Sequence, residues 1–389
     1  MRRLIPILGI TFIDIMGFSI LIPVLPYFAQ HLHASPLTIG VLFSTFAACQ
    51  LIAGPLWGNV SDRIGRKSVL IISQIGATLG WALLAFSHTI ALVFIARVIE
   101  GVSGGNISVT QAYVSDLVEP GKRSRAFGYI GGAFSAGFIF GPLIGYGLLR
   151  YGGYPAPFLG AAALQFVTLI VTIIMLPESR SKNAEEQIAT LKDIGRSLTD
   201  PSIAPILWQK LALSMGLYAW FAVLSLYLNA QFGFDLSRTM LFFSGWGVLS
   251  VILQFSIVGP MSERFGDRGM SNIGIASSVA SFALVPFAHT WATLVVVFVL
   301  FAFGMALANP GITSLISNAA PSNARGSILG VASSLDNLSG VTTPPLSTGM
   351  LQRFGSPYSS LVSFAFTFIA LILGMLAARR ESRTLETEI

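Results

Sequence analysis

The sequence predicts an all-α polytopic membrane protein in which 12 transmembrane helices form two pseudo-symmetric six-helix halves. Of its 389 residues, 53% are hydrophobic and only 10% are charged, whereas about a quarter of the residues in a soluble domain are charged. Long stretches contain no Asp, Glu, Lys or Arg, and one loop sequence recurs in the second half of the chain. These observations disfavour a soluble enzyme, a nucleic-acid-binding protein and a disordered chain.

Charge-free stretches define the membrane spans. Residues 15–61 and 269–324 carry no Asp, Glu, Lys or Arg, and each is long enough for two crossings, because one crossing needs about 20 apolar residues. The first apolar run is too long for a signal-peptide core, so we expect it to be retained as span 1. The predicted spans 1 to 12 are residues 4–29, 37–60, 68–88, 90–115, 126–149, 156–177, 206–231, 238–261, 270–288, 290–316, 326–351 and 356–378.

The basic residues predict the orientation of the spans. All but four of the 23 Lys and Arg residues lie on the same side of the membrane as the two termini. The exceptions are Arg150, Arg238 and Arg353 on the opposite side, and Arg97 inside span 4. Because the basic side of a membrane protein is cytoplasmic, both termini are predicted to be cytoplasmic. Lys210, near the start of span 7, counts in this assignment as a cytoplasmic cation.

A polar linker separates two repeated halves. We predict an N-terminal half at residues 1–177, a cytoplasmic linker at 178–205 and a C-terminal half at 206–389. The loop GNVSDRIGRK, which begins at Gly58 after span 2, matches the loop GPMSERFGDR, which begins at Gly259 after span 8. Parallel six-helix repeats are a known transporter architecture, in which substrate binds near mid-depth at the repeat interface.

Two motifs carry a family resemblance. The loop GNVSDRIGRK is similar to the signature loop of the major facilitator superfamily, and span 5 contains a second motif built from Gly137, Gly141, Pro142 and Gly145. This second motif resembles the antiporter motif of twelve-span drug:proton exporters such as the tetracycline efflux pumps. The resemblance covers nearly the whole chain and implies the major facilitator fold. Span 9 has no acid in its middle, unlike some tetracycline pumps, which weakens tetracycline itself as the substrate.

The signature loop is predicted to form a cytoplasmic latch. Its glycines permit close backbone approach, and its acid can accept hydrogen bonds at the start of span 3 or face a helix N-terminus. The resemblance implies that its cations pair with acids at other cytoplasmic helix ends and favour the outward-open state. The alternative is that these cations only set the topology. The predicted latch residues are Gly58, Asp62, Arg63, Gly65, Arg66, Lys67 and Asp116, with Glu119 as a further acid.

Carboxylates inside spans are the candidate proton carriers. A charge at mid-helix costs about 2.5–3.5 kcal/mol on insertion scales, so each one needs a reason. We rank Asp14 first, Glu100 second and Asp336 third, because burial and neighbouring charges can switch such an acid between its two protonation states. Arg97 precedes Glu100 by three residues on one helix face. A structural ion pair with Arg97 is therefore the alternative role of Glu100.

The roles of span 5 and of the substrate cavity are predicted from residue size and polarity rather than from charge. The resemblance implies that the glycines of span 5 pack closely and seal the pore against proton leak, with ordinary helix packing as the alternative. Aromatic walls with sparse polar groups suit amphipathic or aromatic compounds. The predicted cavity residues are Asn106, Gln111, Tyr113, Tyr218, Trp220, Asn229, Asn309 and Asn337.

Together these features predict a proton-coupled antiporter that exports small amphipathic, drug-like molecules by alternating access. A carrier of a sugar, metabolite or lipid on the same fold is one alternative, and a non-transporting receptor or membrane enzyme is another. The sequence has no Walker A motif and no Cys/His cluster with metal-ligand spacing. We expect a small-molecule substrate, protons and membrane lipid as partners, no cofactor or metal, no nucleic acid, and a monomer in the bacterial inner membrane.

Overall fold

A computed structural model describes residues 5–104, 109–110, 113–114, 123–178, 195, 197–320 and 325–387. These residues form long helices joined by short loops, and none of them belongs to a β-strand. The predicted all-α fold is therefore confirmed.

The helices of the first half follow predicted spans 1 to 6. They are Ile5–His31, Pro36–Ile64, Arg66–Ala85, Ile90–Ser103, Arg123–Gly152 and Pro155–Met175. Local sequence explains two of the starts. Ser35 caps span 2, because its hydroxyl oxygen accepts the Thr38 N–H at 3.2 Å, and Pro36 occupies the first helical turn. Thr89 caps span 4 through the N–H of Leu92. Ser and Thr are favoured N-caps, and Pro is favoured at the first helical position.

The helices of the second half contain predicted spans 7 to 12. They are Ala204–Phe232, Leu236–Leu284, Trp291–Ala319, Arg325–Phe354 and Leu361–Thr387. The helix Leu236–Leu284 holds both span 8 and span 9, which meet at a kink where Gly266 has a φ of 65°. That φ lies in the left-handed region, which only glycine adopts readily. Thr290 and Thr293 form a capping box at the start of span 10.

Eight helices in the described part of the chain are long and apolar enough to cross a membrane. One of them, Leu236–Phe287, holds two predicted spans. The described helices of spans 4, 5 and 11 are not among these eight. The helix of span 4 has 14 described residues, and the helices of spans 5 and 11 are rich in small and polar residues. These three spans carry Arg97 and Glu100, the glycine motif and Asp336.

The chain falls into two compact units. The first combines Met1–Glu185 with Leu228–Gly247, and the second combines Glu186–Tyr227 with Val248–Ile389. The predicted halves place residues 228–247 in the C-terminal half, whereas the structure groups them with the first unit. One contact of this segment with span 1 is made by Tyr27, whose hydroxyl donates to the carbonyl of Phe234 at 2.8 Å and lies 2.7 Å from the Thr239 hydroxyl.

Candidate proton and substrate site

An ion pair is buried within span 4. The guanidinium of Arg97 contacts the carboxylate of Glu100, and the two side chains are 1% and 5% exposed. The rings of Phe46 and Trp81 lie 5.4 and 5.8 Å from the Arg97 Cζ. Glu100 also lies against Gly80 of span 3, where a Cβ would be only 2.3 Å from its Cγ. Pairing compensates two charges that would each cost several kcal/mol to bury alone.

This ion pair does not satisfy all of its own polar atoms. Among the described residues, neither the Arg97 Nε nor the Glu100 Oε1 has a hydrogen-bond partner. A buried polar group without a partner costs about 1–3 kcal/mol. A polar group placed beside these two atoms would therefore be stabilised. The predicted cavity residues Asn106 and Gln111, further along span 4, lie outside the described residues.

Asp14 lies in the same unit as this ion pair. It is half-buried in the third turn of the helix that begins at Ile5. One turn further, Gly17 lies against Trp81 of span 3, because a Cβ at Gly17 would be 3.3 Å from the indole ring. The Cζ of Arg97 lies 5.8 Å from the centroid of the same Trp81 ring. Span 1 and the ion pair of span 4 thus share one tryptophan.

Asp336 has a different environment, in the second unit. Its Oδ1 is 2.9 Å from the Nζ of Lys210 and accepts the Ser214 hydroxyl at 2.5 Å. Tyr218, a predicted cavity residue, interacts electrostatically with the same carboxylate. Lys210 lies in the second turn of the helix Ala204–Phe232. The sequence interpretation of Lys210 as a topological cation therefore missed an ion pair, although the spacing of four between Lys210, Ser214 and Tyr218 was the available signal.

The signature loop turns sharply at Gly65. Its φ is 102°, and a Cβ there would lie 2.3 Å from the Glu178 carboxylate, so both the backbone and the space require glycine. Glu178 comes from the end of span 6, and its Oε1 accepts the Arg66 N–H at 2.8 Å and the Lys67 N–H at 3.5 Å. A carboxylate at this position satisfies N–H groups that a helix start leaves open and complements the positive end of its dipole.

The side chains of the signature loop hold spans 2, 3 and 6 together. The buried Arg66 donates to the Ser61 hydroxyl at 2.5 Å, and Ser61 in turn donates to the Gly58 carbonyl at 2.7 Å. Lys67 donates to the carbonyl of Ile173 in span 6 at 2.7 Å. The remaining predicted cation of the latch, Arg63, is exposed.

The side chains of the acids predicted for the latch lie outside the part of the chain that the structure describes. The Asp62 side chain and residues Asp116 and Glu119 lie outside the described residues. Glu178 accepts a hydrogen bond at the start of span 3, and the role of Asp62 there stays a prediction. Sequence reasoning missed Glu178 because the contact joins two distant helix ends. The one available signal was its position as the first charge after span 6.

The glycines of span 5 lie against span 1. A Cβ at Gly137 would be 2.8 Å from the Ile15 side chain, and a Cβ at Gly141 would be 2.6 Å from the Met16 carbonyl oxygen. The Ser19 hydroxyl crosses between the helices and donates to the Gly137 carbonyl at 2.9 Å. Pro142, the fourth motif residue, lies inside the same helix and is buried. Small residues allow this approach of two helix backbones.

The same span also contacts residues 228–247. A Cβ at Gly145 would lie 2.9 Å from the Met240 methyl group. The rings of Phe138 and Trp246 meet edge to face, with centroids 6.4 Å apart. Gly247 lies against the Phe138 carbonyl, which a Cβ would approach to 3.0 Å. The glycine motif therefore packs on two neighbours, span 1 and the start of span 8.

Comparison with known proteins identifies the family. The profile of the Major Facilitator Superfamily matches residues 7–257 and 206–388. The chain belongs to the major facilitator superfamily. It is 29% identical over 363 residues to tetracycline resistance protein class H of Pasteurella multocida, covering 89% of this chain and 88% of that protein. It is 28% identical over 379 residues to multidrug resistance protein 2 of Bacillus subtilis (strain 168), covering 95% and 92%.

A solved structure shares the fold of this major facilitator. A bacterial homologue of the human lysosomal transporter Spinster, in an inward-facing and unoccupied conformation, superposes with a TM-score of 0.81 at 14% sequence identity. The match covers 97% of this chain and 96% of that one. The predicted membership of the drug:proton antiporter group and the predicted major facilitator fold are confirmed. The protein is a multi-pass membrane transporter and not an enzyme.

Two aromatic residues that the sequence placed in the cavity of this major facilitator have packing contacts instead. The Tyr113 hydroxyl donates to the Pro177 carbonyl at 2.9 Å, and the residue is fully buried. Trp220 is fully buried, with its ring centroid 5.6 Å from that of Tyr227 and 5.4 Å from that of Phe282. An aromatic residue fills a core as well as a cavity wall, because both places are apolar.

The predicted cavity asparagines have mixed surroundings. Asn229 is exposed, and its amide donates to the Phe234 carbonyl at 2.9 Å. Asn309 is half-buried and donates weakly to the sulfur of Met305 at 3.9 Å. Asn337 is half-buried beside Asp336 in span 11. Asn309 and Asn337 are therefore partly accessible, and their contact with substrate stays a prediction.

Proposed function

We propose that this protein is a proton-coupled antiporter that exports small amphipathic, drug-like molecules across the bacterial inner membrane. It works by alternating access, with both termini in the cytoplasm. The observation that carries the proposal is the buried Arg97–Glu100 ion pair, which lies inside a membrane span against aromatic rings and in the same unit as Asp14. The relatives named tetracycline resistance and multidrug resistance proteins support drug export.

Coupling requires that a proton and the substrate exclude each other. A half-buried carboxylate meets this requirement, because loss of water favours its protonated form and a nearby substrate charge or dipole favours its ionised form. Arg97 already compensates the charge of Glu100. We therefore rank Asp14 first as the proton carrier and Glu100 second. Asp336, whose charge Lys210 compensates in the second unit, is third.

The aromatic rings beside the ion pair favour amphipathic substrates. Phe46 and Trp81 offer apolar surface next to a guanidinium and a carboxylate. Such a wall binds molecules that combine a ring system with one polar group. Span 9 has no acid in its middle, so we propose a general drug-like substrate rather than tetracycline in particular.

The close packing of span 5 fits the same function. An antiporter loses its driving force if protons leak through it without substrate. The contacts of Gly137 and Gly141 with span 1, and of Gly145 with Met240, leave little space for water between these helices. We propose that this packing is the proton seal. The proton gradient is then the only energy source, and the protein needs no cofactor and functions as a monomer.

Transport by purified protein in sealed vesicles tests this function. We would load vesicles with acidic buffer, clamp the membrane potential, and add ethidium outside. Molecules inserted with their cytoplasmic side outward should accumulate ethidium against its gradient as protons leave. Asp14→Asn should abolish this uphill accumulation but retain exchange of ethidium between equal pools.

The alternatives give other results in the same vesicles. A symporter would accumulate its substrate only when the outside is acidic. A facilitative carrier would equilibrate ethidium without regard to the pH gradient. A receptor would move no solute. Accumulation by the Asp14→Asn variant equal to that of the wild type would overturn the assignment of Asp14.

A further inference from the structure

Span 7 carries a row of hydrogen-bond donors on one face. Lys210, Ser214 and Tyr218 are four residues apart, so their side chains follow one another along the helix surface. Two of these donors converge on one atom of span 11: the Lys210 Nζ and the Ser214 hydroxyl lie 2.9 and 2.5 Å from the Asp336 Oδ1. Tyr218 lies one turn further along the same face.

The donors and the acid differ in how firmly they are enclosed. Ser214 is 2% exposed and Lys210 is 12% exposed, whereas Asp336 is 31% exposed. The donors are therefore largely enclosed by the protein, whereas the acid that meets them comes from span 11 and remains partly exposed. An ammonium and a hydroxyl aimed at one point form the donor set that an oxyanion requires.

We propose that the span 7 donor row is a binding site for a carboxylate or similar oxyanion on the transported molecule, and that Asp336 is an internal occupant which this group displaces. The exchange replaces one carboxylate with another, so the charge of Lys210 stays compensated. The displaced Asp336 side chain turns towards water. The inference rests on the proposed transport function and adds a substrate class, namely amphipathic molecules with an acidic group.

The row is long enough to contact more than the acidic group of a molecule. Lys210 and Tyr218 are eight residues apart, which is about 12 Å along a helix. A carboxylate held by Lys210 and Ser214 would therefore leave Tyr218 to contact the ring system of the same molecule. A neutral amide in place of the carboxylate cannot compensate the Lys210 charge, so the site distinguishes an acid from its amide.

A matched pair of fluorescent probes tests the site. Dansylglycine carries the carboxylate, and dansylglycinamide carries an uncharged amide on the same ring system. Binding of each probe to the full-length protein in detergent would be measured by fluorescence titration. Asp336→Asn removes the internal competitor, so it should tighten dansylglycine binding about tenfold or more, because the binding-competent fraction rises. Lys210→Met should weaken dansylglycine binding by at least about tenfold. Neither change should alter binding of the amide by more than about twofold.

Two further variants keep the test decisive if a single charge change harms folding. The double variant Lys210→Met/Asp336→Asn removes both charges, which is tolerated better than one unpaired charge, and it should bind dansylglycine as weakly as Lys210→Met. Ser214→Ala keeps the ion pair but removes one donor, so it should weaken dansylglycine binding several-fold. Ser225→Ala, a buried serine of the same helix three turns away, is its control and should not.

The outcomes separate this inference from the proposed antiport. Unchanged or weaker dansylglycine binding in a folded Asp336→Asn variant would show that Asp336 is not a competitor. An equal gain for dansylglycinamide would show that the site does not recognise an oxyanion. Both results concern binding without a gradient, so they leave ethidium accumulation and its dependence on Asp14 untouched. If ethidium did not accumulate but the dansylglycine results were as expected, only the proposed antiport would be overturned.

Discussion

Replacing Gly141 by alanine tests whether the close contact of spans 5 and 1 is the proton seal. The new Cβ would lie 1.9 Å from the Ser19 hydroxyl and 2.6 Å from the Met16 carbonyl oxygen. The Ser19 side chain can rotate away, but the backbone oxygen of Met16 cannot. The two helices therefore have to separate by roughly 0.8–1.4 Å to reach an ordinary contact distance. Overpacking of this kind costs about 1–3 kcal/mol.

Span 5 contains its own control. A Cβ at Gly147 meets no atom of the described residues within 4 Å. Alanine is preferred to glycine in a helix by up to about 1 kcal/mol, and this gain applies equally to Gly141→Ala and Gly147→Ala. The gain cancels in the comparison, so Gly141→Ala should be less stable than Gly147→Ala by about 1–3 kcal/mol.

Two measurements check this prediction. Thermal unfolding of the purified variants should give a lower midpoint for Gly141→Ala than for the wild type, and an equal or higher midpoint for Gly147→Ala. Decay of a pH gradient in substrate-free vesicles should be faster with Gly141→Ala only. If Gly141→Ala matched Gly147→Ala in both midpoint and leak rate, the glycine contact would not be the seal.

Two other predictions concern single contacts. Glu178→Gln removes the charge at the start of span 3 and should cost about 0.3–1 kcal/mol of stability. The difference in unfolding midpoint from the wild type should shrink in 1 M salt, because salt screens a charge at an exposed site. A difference that does not depend on salt would contradict the charge argument. Tyr27→Phe removes the hydroxyl that contacts Phe234 and Thr239 and should cost about 0.5–1.5 kcal/mol per hydrogen bond. Hydrogen exchange should then speed up in residues 228–247 and not in span 3, whereas unchanged exchange there would show that these bonds do not hold the segment.

The fold was largely predictable, because lipid imposes simple rules on sequence. A span must be long, apolar and helical, so charge-free stretches located the helices, and the repeated loop predicted two halves. The grouping of residues 228–247 with the first unit was not predictable. It involves contacts between residues distant in sequence, such as that of the Tyr27 hydroxyl with Phe234 and Thr239, and a sequence repeat carries no information about such contacts.

Charges inside apolar runs were the sequence signal for the candidate site. Asp14, Asp336 and the pair of Arg97 and Glu100 were conspicuous for this reason. Lys210 was not, because it lies near a helix end, where a cation is normally explained by topology. Glu178 was missed because it caps a helix more than 100 residues away in sequence.

Aromatic residues were the least informative part of the sequence. Trp220 is fully buried against Tyr227 and Phe282, and nothing in its local sequence distinguishes this core position from a cavity wall. Both places reward a large apolar surface. Only the packing of distant helices decides between them.

Proton release on drug binding tests the central claim most directly. The claim is that a carboxylate inside a span is either protonated or ionised beside a bound drug, and that these two states exclude each other. The experiment uses a weakly buffered detergent solution at a pH at which the acid is protonated before drug is added. Addition of ethidium to the wild-type protein should then release protons in proportion to the drug bound. A variant with Asp14→Asn and Glu100→Gln should bind ethidium and release none. Equal proton release by that variant would contradict the account.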